Sequence, residues 1–237
     1  KDVYYTLKVC LLVMIYFSCN EMGLVRKTIN WYARLAPSRG RSKPPYEHVV
    51  QIGDPTLRKI SEPVPVEKIK SEEVQNVIQK LKYVLLKYGS VGMAAPQVGV
   101  NIRIFVMRQT PKQIASIPAE IIKHKDISVI PMTVFINPTL KVVDYQKIIH
   151  PEGCESVRSF SADVARYKEV QVTGYDSEGE EILKVFRGWA ARIAQHEMDH
   201  LDGKLYTDVM DRKSLHCTCW EEVNLSKGKV VIPFTPD

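Results

Sequence analysis

Trp189–Tyr206 runs WAARIAQHEMDHLDGKLY and contains His196-Glu197-Met198-Asp199-His200, an H-E-x-x-H pattern. On an α-helix, residues i and i+4 lie one turn apart on the same face, so two imidazoles at this spacing can grip one metal ion. Glu197 follows the first histidine and stands within reach of a water activated there, as general base or acid. The local sequence favours a helix. Ala190 to Ala194 are mostly good helix formers, and Gly203 stands where a helix should stop. Trp189, Ile193, His196 and His200 fall on one stripe, so apolar wall and candidate ligands share a face. The competing account is a helix with two surface histidines, since a bare H-E-x-x-H arises by chance in many long chains.

The 237 residues suffice for one ordinary domain with extensions. The net charge of +6 is unevenly spread: Lys1–Tyr46 carries eight basic and two acidic residues, and Glu47–Asp237 carries 25 of each. The body is neutral, so no direct nucleic-acid binding by the folded domain is expected. Five cysteines, Cys10, Cys19, Cys154, Cys217 and Cys219, form no even framework. A reducing compartment is the simpler expectation, with cysteine as ligand, nucleophile or core filler.

Residues 1–46 read as a leader ahead of a catalytic domain at 47–237. Val9–Cys19 is an apolar run of eleven, short of the roughly 20 residues that span a bilayer, so no membrane span is expected. Met22–Tyr46 is acid-free and Arg-bearing, with Trp31, Tyr32 and Leu35 at near-helical spacing. Such a segment resembles an organelle presequence. Residues 22–46 are therefore expected to be a mitochondrial presequence, with Met22 the natural start and residues 1–21 outside the natural product. The alternative is a disordered basic tail.

Ser71–Tyr88 is the clearest helix. Ser71 is a fair N-cap, Glu72 and Glu73 suit the positive end of the dipole, and Gly89 suits the far end. Val74, Val77, Ile78, Leu81, Val84, Leu85 and Tyr88 form a continuous apolar stripe. Ile102–Met107 reads as a strand, and Arg108–Ile130 as a polar, turn-rich excursion. Thr133–Ile136 reads as a strand ending at Asn137-Pro138, with Leu140–Val143 starting another. Lys168–Tyr175 and Glu181–Phe186 form a hairpin about Asp176–Gly179.

Gly89–Val100 is rich in small residues and turn formers, so a ligand can come close to its backbone. Gln97 carries the donor amide of this stretch; taken alone, it is an ordinary loop glutamine. Cys154 offers a thiolate to zinc or ferrous iron, and Gly153 beside it would allow close approach. Three protein ligands with a fourth position left for water are the usual open catalytic arrangement, and the helix supplies only two. Taken alone, however, Cys154 fits better as a small buried cysteine. His150 is a competing ligand, although a turn or core histidine fits it better. His216-Cys217-Thr218-Cys219 lacks the second pair of a zinc-binding motif.

Taken in chain order, three of these stretches resemble the peptide deformylase family, in the mitochondrial form of animals. Ser90-Val91-Gly92-Met93-Ala94-Ala95-Pro96-Gln97 is similar to its glycine-rich G-x-G-x-A-A-P-Q loop. Glu152-Gly153-Cys154-Glu155-Ser156 matches E-G-C-x-S, and Gln195–His200 matches Q-H-E-x-D-H. The resemblance runs from Tyr46 to Val223. It implies an α+β fold, with antiparallel strands wrapped around a central metal-binding helix carrying HEMDH. It further implies Cys154, His196 and His200 as metal ligands and Glu197 as proton carrier. Gln97 and the backbone N–H of Glu155 would stabilise the oxyanion. The first-motif loop holds substrate backbone in the family, which here falls on Val91 and Gly92. Trp189 and Ile193, on the histidine face, are candidates for the wall of a methionine slot. Glu152 and Arg166 match a buried ion pair that supports the cysteine loop. Two positions depart from the pattern: Ser90 replaces the first motif glycine, and Glu155 stands where bacterial forms have leucine.

The implied activity is metal-dependent removal of the N-formyl group from the initiator methionine of nascent, mitochondrially synthesised polypeptides. Partners would be N-formylmethionyl peptides and the ribosome, in the mitochondrial matrix, with the oligomeric state open and a homodimer one option. Fe2+ is the implied metal, with Zn2+ or Co2+ as alternatives. Two other functions compete. A zinc peptidase shares H-E-x-x-H but needs a third ligand downstream, where Asp202 and Asp208 sit at no recognised spacing. A non-catalytic nascent-chain or ribosome-binding protein could keep the same fold.

Overall fold

In the computed structural model, residues 43–236 are described. The expected presequence therefore lies outside the described residues, apart from its last four. The Tyr46 N–H donates to Val98 O at 2.9 Å, joining that segment to the body. Among the described residues, no helix is long and apolar enough to cross a membrane.

Helix α1, Glu72–Tyr88, starts where the Ser71 hydroxyl accepts from the Val74 N–H at 3.4 Å and stops at Gly89, whose φ of 64° is left-handed. Its stripe from Val74 to Leu85 is buried against Met93, Ile104, Val106, Val134 and Ile136. Truncating a buried leucine there, such as Leu81, carries a cost of about 2–5 kcal/mol. The glycine-rich stretch forms strand β1, Gly92–Ala94, then a 3-10 turn over Ala95–Val98. Strand β2, Ile104–Gln109, is buried on both faces. Ile104 and Val106 meet α1, while Phe105 and Met107 meet a second apolar cluster. That is why its sequence shows an apolar run and not an alternation.

The polar stretch after β2 is more ordered than its composition implied. It folds into short helices α2, Pro111–Ala115, and α3, Ala119–Lys125. Thr110 caps α2, its hydroxyl accepting from the Gln113 N–H at 3.2 Å. The two strands expected between Thr133 and Val143 are one strand, β3, Ile130–Cys154. Asn137 adopts φ 51°, and the ladder shifts register between Ile136 and Thr139, so the Asn-Pro signal marks a bulge, not an end. β3 pairs with β4, Val157–Tyr175, which pairs with β5, Glu181–Arg187. All these pairings are antiparallel, in the order β1-β2-β3-β4-β5.

Helix α4, Gly188–Leu201, follows β5 directly. Ala190, Ala191, Ile193, Ala194 and Leu201 pack on Phe105, Met107, Phe135, Val170 and Val172. Three alanines on this face let the helix lie close to the sheet. Asp202 caps it, and Gly203 turns the chain away at φ 71°. The architecture is α+β, with antiparallel strands around the helix that bears HEMDH.

Candidate active site

The first turns of α4, the Cys154 end of β3 and the stretch Ser90–Gln97 line one cavity of about 450 Å³. Val91, Gly92, Gln97, Glu152, Cys154, Glu155, Trp189, Ile193, His196 and Glu197 all border it. His200 lies one turn deeper, at 1% exposure. Ligand atoms of Cys154, His196 and His200 all fall within 4.8 Å of one another, the one such group of three found among the described residues. Cys154 Sγ lies 3.3 Å from His200 Nε2.

The donor set fits a divalent metal. A thiolate and two imidazoles suit zinc or ferrous iron and leave a coordination position free. His196 Nδ1 is taken by Glu152 Oε2 at 3.1 Å, which leaves Nε2 for a metal. Burial, and then the charges of His196 and Arg166, hold the His200 imidazole well below its ordinary pKa, in the neutral form that ligates. Glu197 is 3% exposed, and its Oε2 has no hydrogen-bond partner among the described residues. Burial chiefly pushes its carboxyl up to about 7, where a group can both take and release a proton near neutral pH.

Gly92 makes room for that carboxylate. A Cβ there would stand 2.2 Å from Glu197 Oε1 and 2.8 Å from its Cδ. The obstacle is a movable side-chain end, so Gly92→Ala should fold but displace Glu197. A misplacement of about 1 Å at a reacting group costs about a hundredfold. We expect kcat to fall by about that factor with the melting midpoint and metal content near wild type, read by thermal denaturation and metal analysis on the same sample. A melting point that collapses with the activity would refute this account of Gly92. Gly153 has no comparable role: a Cβ there meets only Phe160 O, at 3.5 Å, so close approach of Cys154 does not depend on it.

The Gln97 amide is fixed by its surroundings. Its Oε1 accepts from the Ala94 N–H at 2.9 Å, which turns Nε2 toward Cys154 Sγ at 3.5 Å and Ser156 Oγ at 3.3 Å. The two departures from the family pattern meet here. The buried Ser90 hydroxyl lies beside the Glu155 carboxylate, and Glu155 Oε2 accepts from Arg158 Nη1 at 3.0 Å. Burial outweighs both neighbours and raises the Glu155 pKa.

Behind the ligands lies a buried ion network. Arg166 donates to both Glu152 oxygens at 2.9 Å, through Nε and Nη2, and to Asp199 Oδ2 at 2.5 Å through Nη1. Arg192 donates from Nη1 to Glu152 Oε1 at 2.7 Å and Val164 O at 2.9 Å, and from Nη2 to Ile148 O at 2.6 Å. Arg192 thus ties α4 to the β3–β4 hairpin, and the second carboxylate of HEMDH anchors Arg166. Gln195 pairs with both backbone groups of Tyr167, at 3.0 and 2.8 Å. The family resemblance pairs Glu152 with Arg166, whereas Arg192 reads in the sequence only as a helix former. The signal was available: a charge one turn before His196, on a face that has to be buried, needs a partner.

Other candidates fall elsewhere. His150 stacks edge-on with His124, ring centroids 5.3 Å apart, outside the cavity lining. Cys217 and Cys219 bring their sulfurs to 3.4 Å, without a third converging ligand among the described residues. Asp202 pairs with Arg103 at 3.0 Å, and Asp208 with Arg58, so neither completes a peptidase-type ligand set.

Two histidines on a helix and a cysteine at the end of a strand, with a buried carboxylate beside them and an open cleft in front, define a single-metal hydrolase. A family model for polypeptide deformylase matches residues 46–216, and the chain belongs to that family. It is a peptide deformylase, a metal-dependent hydrolase that removes the N-formyl group from the initiator methionine of nascent polypeptides. It is 39% identical over 185 residues to the human mitochondrial peptide deformylase, covering 78% of this chain and 76% of that protein. It is 42% identical over 180 residues to the chloroplastic/mitochondrial peptide deformylase 1A of Arabidopsis thaliana, covering 76% of this chain and 67% of that one. Among solved structures, the Acinetobacter baumannii class I type b enzyme bound to Met-Ala-Ser superposes with a TM-score of 0.60 at 29% identity, over 68% of this chain and 96% of its own. The Thermotoga maritima deformylase gives 0.56 at 31%, over 70% and 98%.

Proposed function

We propose that Cys154, His196 and His200 hold one divalent metal ion and that Glu197, Gln97 and the Glu155 N–H carry out deformylation around it. The observation that carries this is the convergence of the three ligand groups beside the buried Glu197 carboxylate. When bound, the metal supplies Lewis acidity that makes water a nucleophile near neutral pH. Glu197 takes the proton of the attacking water and passes it to the leaving amine nitrogen, so formate and a free N-terminus result. The Gln97 amide, its NH2 turned to the metal side, donates with the Glu155 N–H to the oxygen that gains charge as the formyl carbon becomes tetrahedral. Val91 and Gly92 hold peptide backbone, while Trp189 and Ile193 wall the methionine slot. The Acinetobacter baumannii relative, bound to Met-Ala-Ser, supports a methionine-containing peptide as the ligand of this cleft. Glu152, Arg166 and Arg192 keep His196 and the cysteine strand in place.

The metal is iron in this account, and the site of action is the mitochondrial matrix, where the ribosome supplies the nascent chains. An acid-free segment at residues 22–46 and mitochondrial and plastid relatives support the location. Purified without oxygen, the protein should contain close to one iron per chain. Air should remove most of its activity within the assay, and Fe2+ or Co2+ should restore it after reduction. Full activity in air with stoichiometric zinc would refute the iron assignment.

A further inference from the structure

A second cavity of about 450 Å³ lies beside the first turns of α4, between α3, β3 and β4. Its wall is basic. Lys123 and Lys125 come from the last turn of α3, Lys168 from β4 and Arg187 from the end of β5, and Asp126 is its one acid. Arg192 also borders it but is already matched by Glu152. The outer lysines are not matched by an acid. Among the described residues, Lys123, Lys125 and Lys168 form no salt bridge, and Arg187 meets Asp126 at 3.6 Å. Lys168 Nζ has only the neutral Gln146 amide oxygen, at 3.1 Å, and Lys125 Nζ lies 4.6 Å over the Trp189 ring. The first turn of α4 adds no acid, and its N-cap makes no side-chain hydrogen bond. Burial, and then Arg192, disfavour the charge on Lys125. A partly buried cation without counter-charge costs free energy that a bound anion would relieve.

We propose that this cavity binds a small phosphate-class anion, inorganic phosphate or a phosphomonoester, held by Lys125, Lys168 and Arg187. The cavity lining sets several cations against one acid, while residues 47–237 as a whole carry 25 basic and 25 acidic residues. A compact anion fits that distribution; a nucleic-acid backbone would call for a basic stripe.

Calorimetric titration of the metal-loaded full chain with inorganic phosphate, against chloride at matched ionic strength, tests this. We expect one phosphate per chain. A Lys125→Gln/Lys168→Gln double variant should bind at least about tenfold more weakly, as expected for the loss of charged hydrogen bonds. Asp126→Asn should bind more tightly. Asn tolerates the φ of 51° at that position, and tighter binding cannot come from misfolding. No saturable heat, or equal affinity in all three proteins, would overturn the proposal; the latter would place the anion elsewhere, such as at the metal ligands. Tight binding of single-stranded RNA with none of phosphate would overturn it too.

Discussion

Glu197→Gln lowers kcat by about 10²–10⁴-fold, the usual contribution of a positioned acid–base group, and leaves the metal content unchanged. The substitution keeps the shape of the side chain and removes its ability to take a proton. The buried network described above does not depend on it, because among the described residues Glu197 makes no salt bridge and its Oε2 has no partner. Stability should therefore hold or rise, since a buried ionisable group without a partner is a liability to folding. The pH profile gives a second readout. A carboxyl pushed up to about 7 by burial makes wild-type kcat/KM climb as pH rises through the range in which Glu197 loses its proton. A bound cation draws that limb below 7. The limb should vanish in Glu197→Gln. A variant with near wild-type turnover would exclude Glu197 as the proton carrier.

The second large effect falls on the fold. Glu152 is 6% exposed and is shared by Arg166, Arg192 and His196. Removing one partner of a buried ionic cluster costs about 3–5 kcal/mol, because the remaining charges stay desolvated. Glu152→Gln should cost that much in denaturant unfolding, a large share of the roughly 5–15 kcal/mol that holds a domain. It should also weaken metal binding by about 10–100-fold, because Glu152 fixes the His196 ring. The sign with pH is definite. Burial pushes the Glu152 carboxyl up, but hydrogen bonds from His196 and Arg166 prevail and hold it well below the usual carboxylate range. Its contribution is complete above pH 4.5, the ordinary value, and is lost progressively as pH falls below that. Wild type should lose stability steeply on acidification below 4.5, and Glu152→Gln much less so. Parallel acid-unfolding curves for the two proteins would rule out this role.

Much of this was legible before any coordinate. The stripe of α1 and its caps are local signals, and they specified the helix to within a residue. The three motifs named residues that one cavity brings together, although each of Cys154 and Gln97 read by itself as unremarkable. What stayed hidden was set by long-range packing. β2 shows no alternation because helices cover both of its faces. β3 runs through Asn137-Pro138 because a bulge absorbs the turn signal. The short helices after β2 rest on a cap at Thr110 and a left-handed stop at Asp126, while their composition is that of a loop. Arg192 looked like a helix former until the β3–β4 hairpin supplied a carboxylate and three carbonyls for it.

The most direct test of the central claim is formate release from a formyl-methionyl tripeptide, measured on protein purified without oxygen, after chelation and after return of Fe2+. We expect one formate per new amino terminus, loss of turnover when the metal is removed, and recovery when it returns. Turnover that survives complete metal removal, or none from protein with a full complement of metal, would contradict the account.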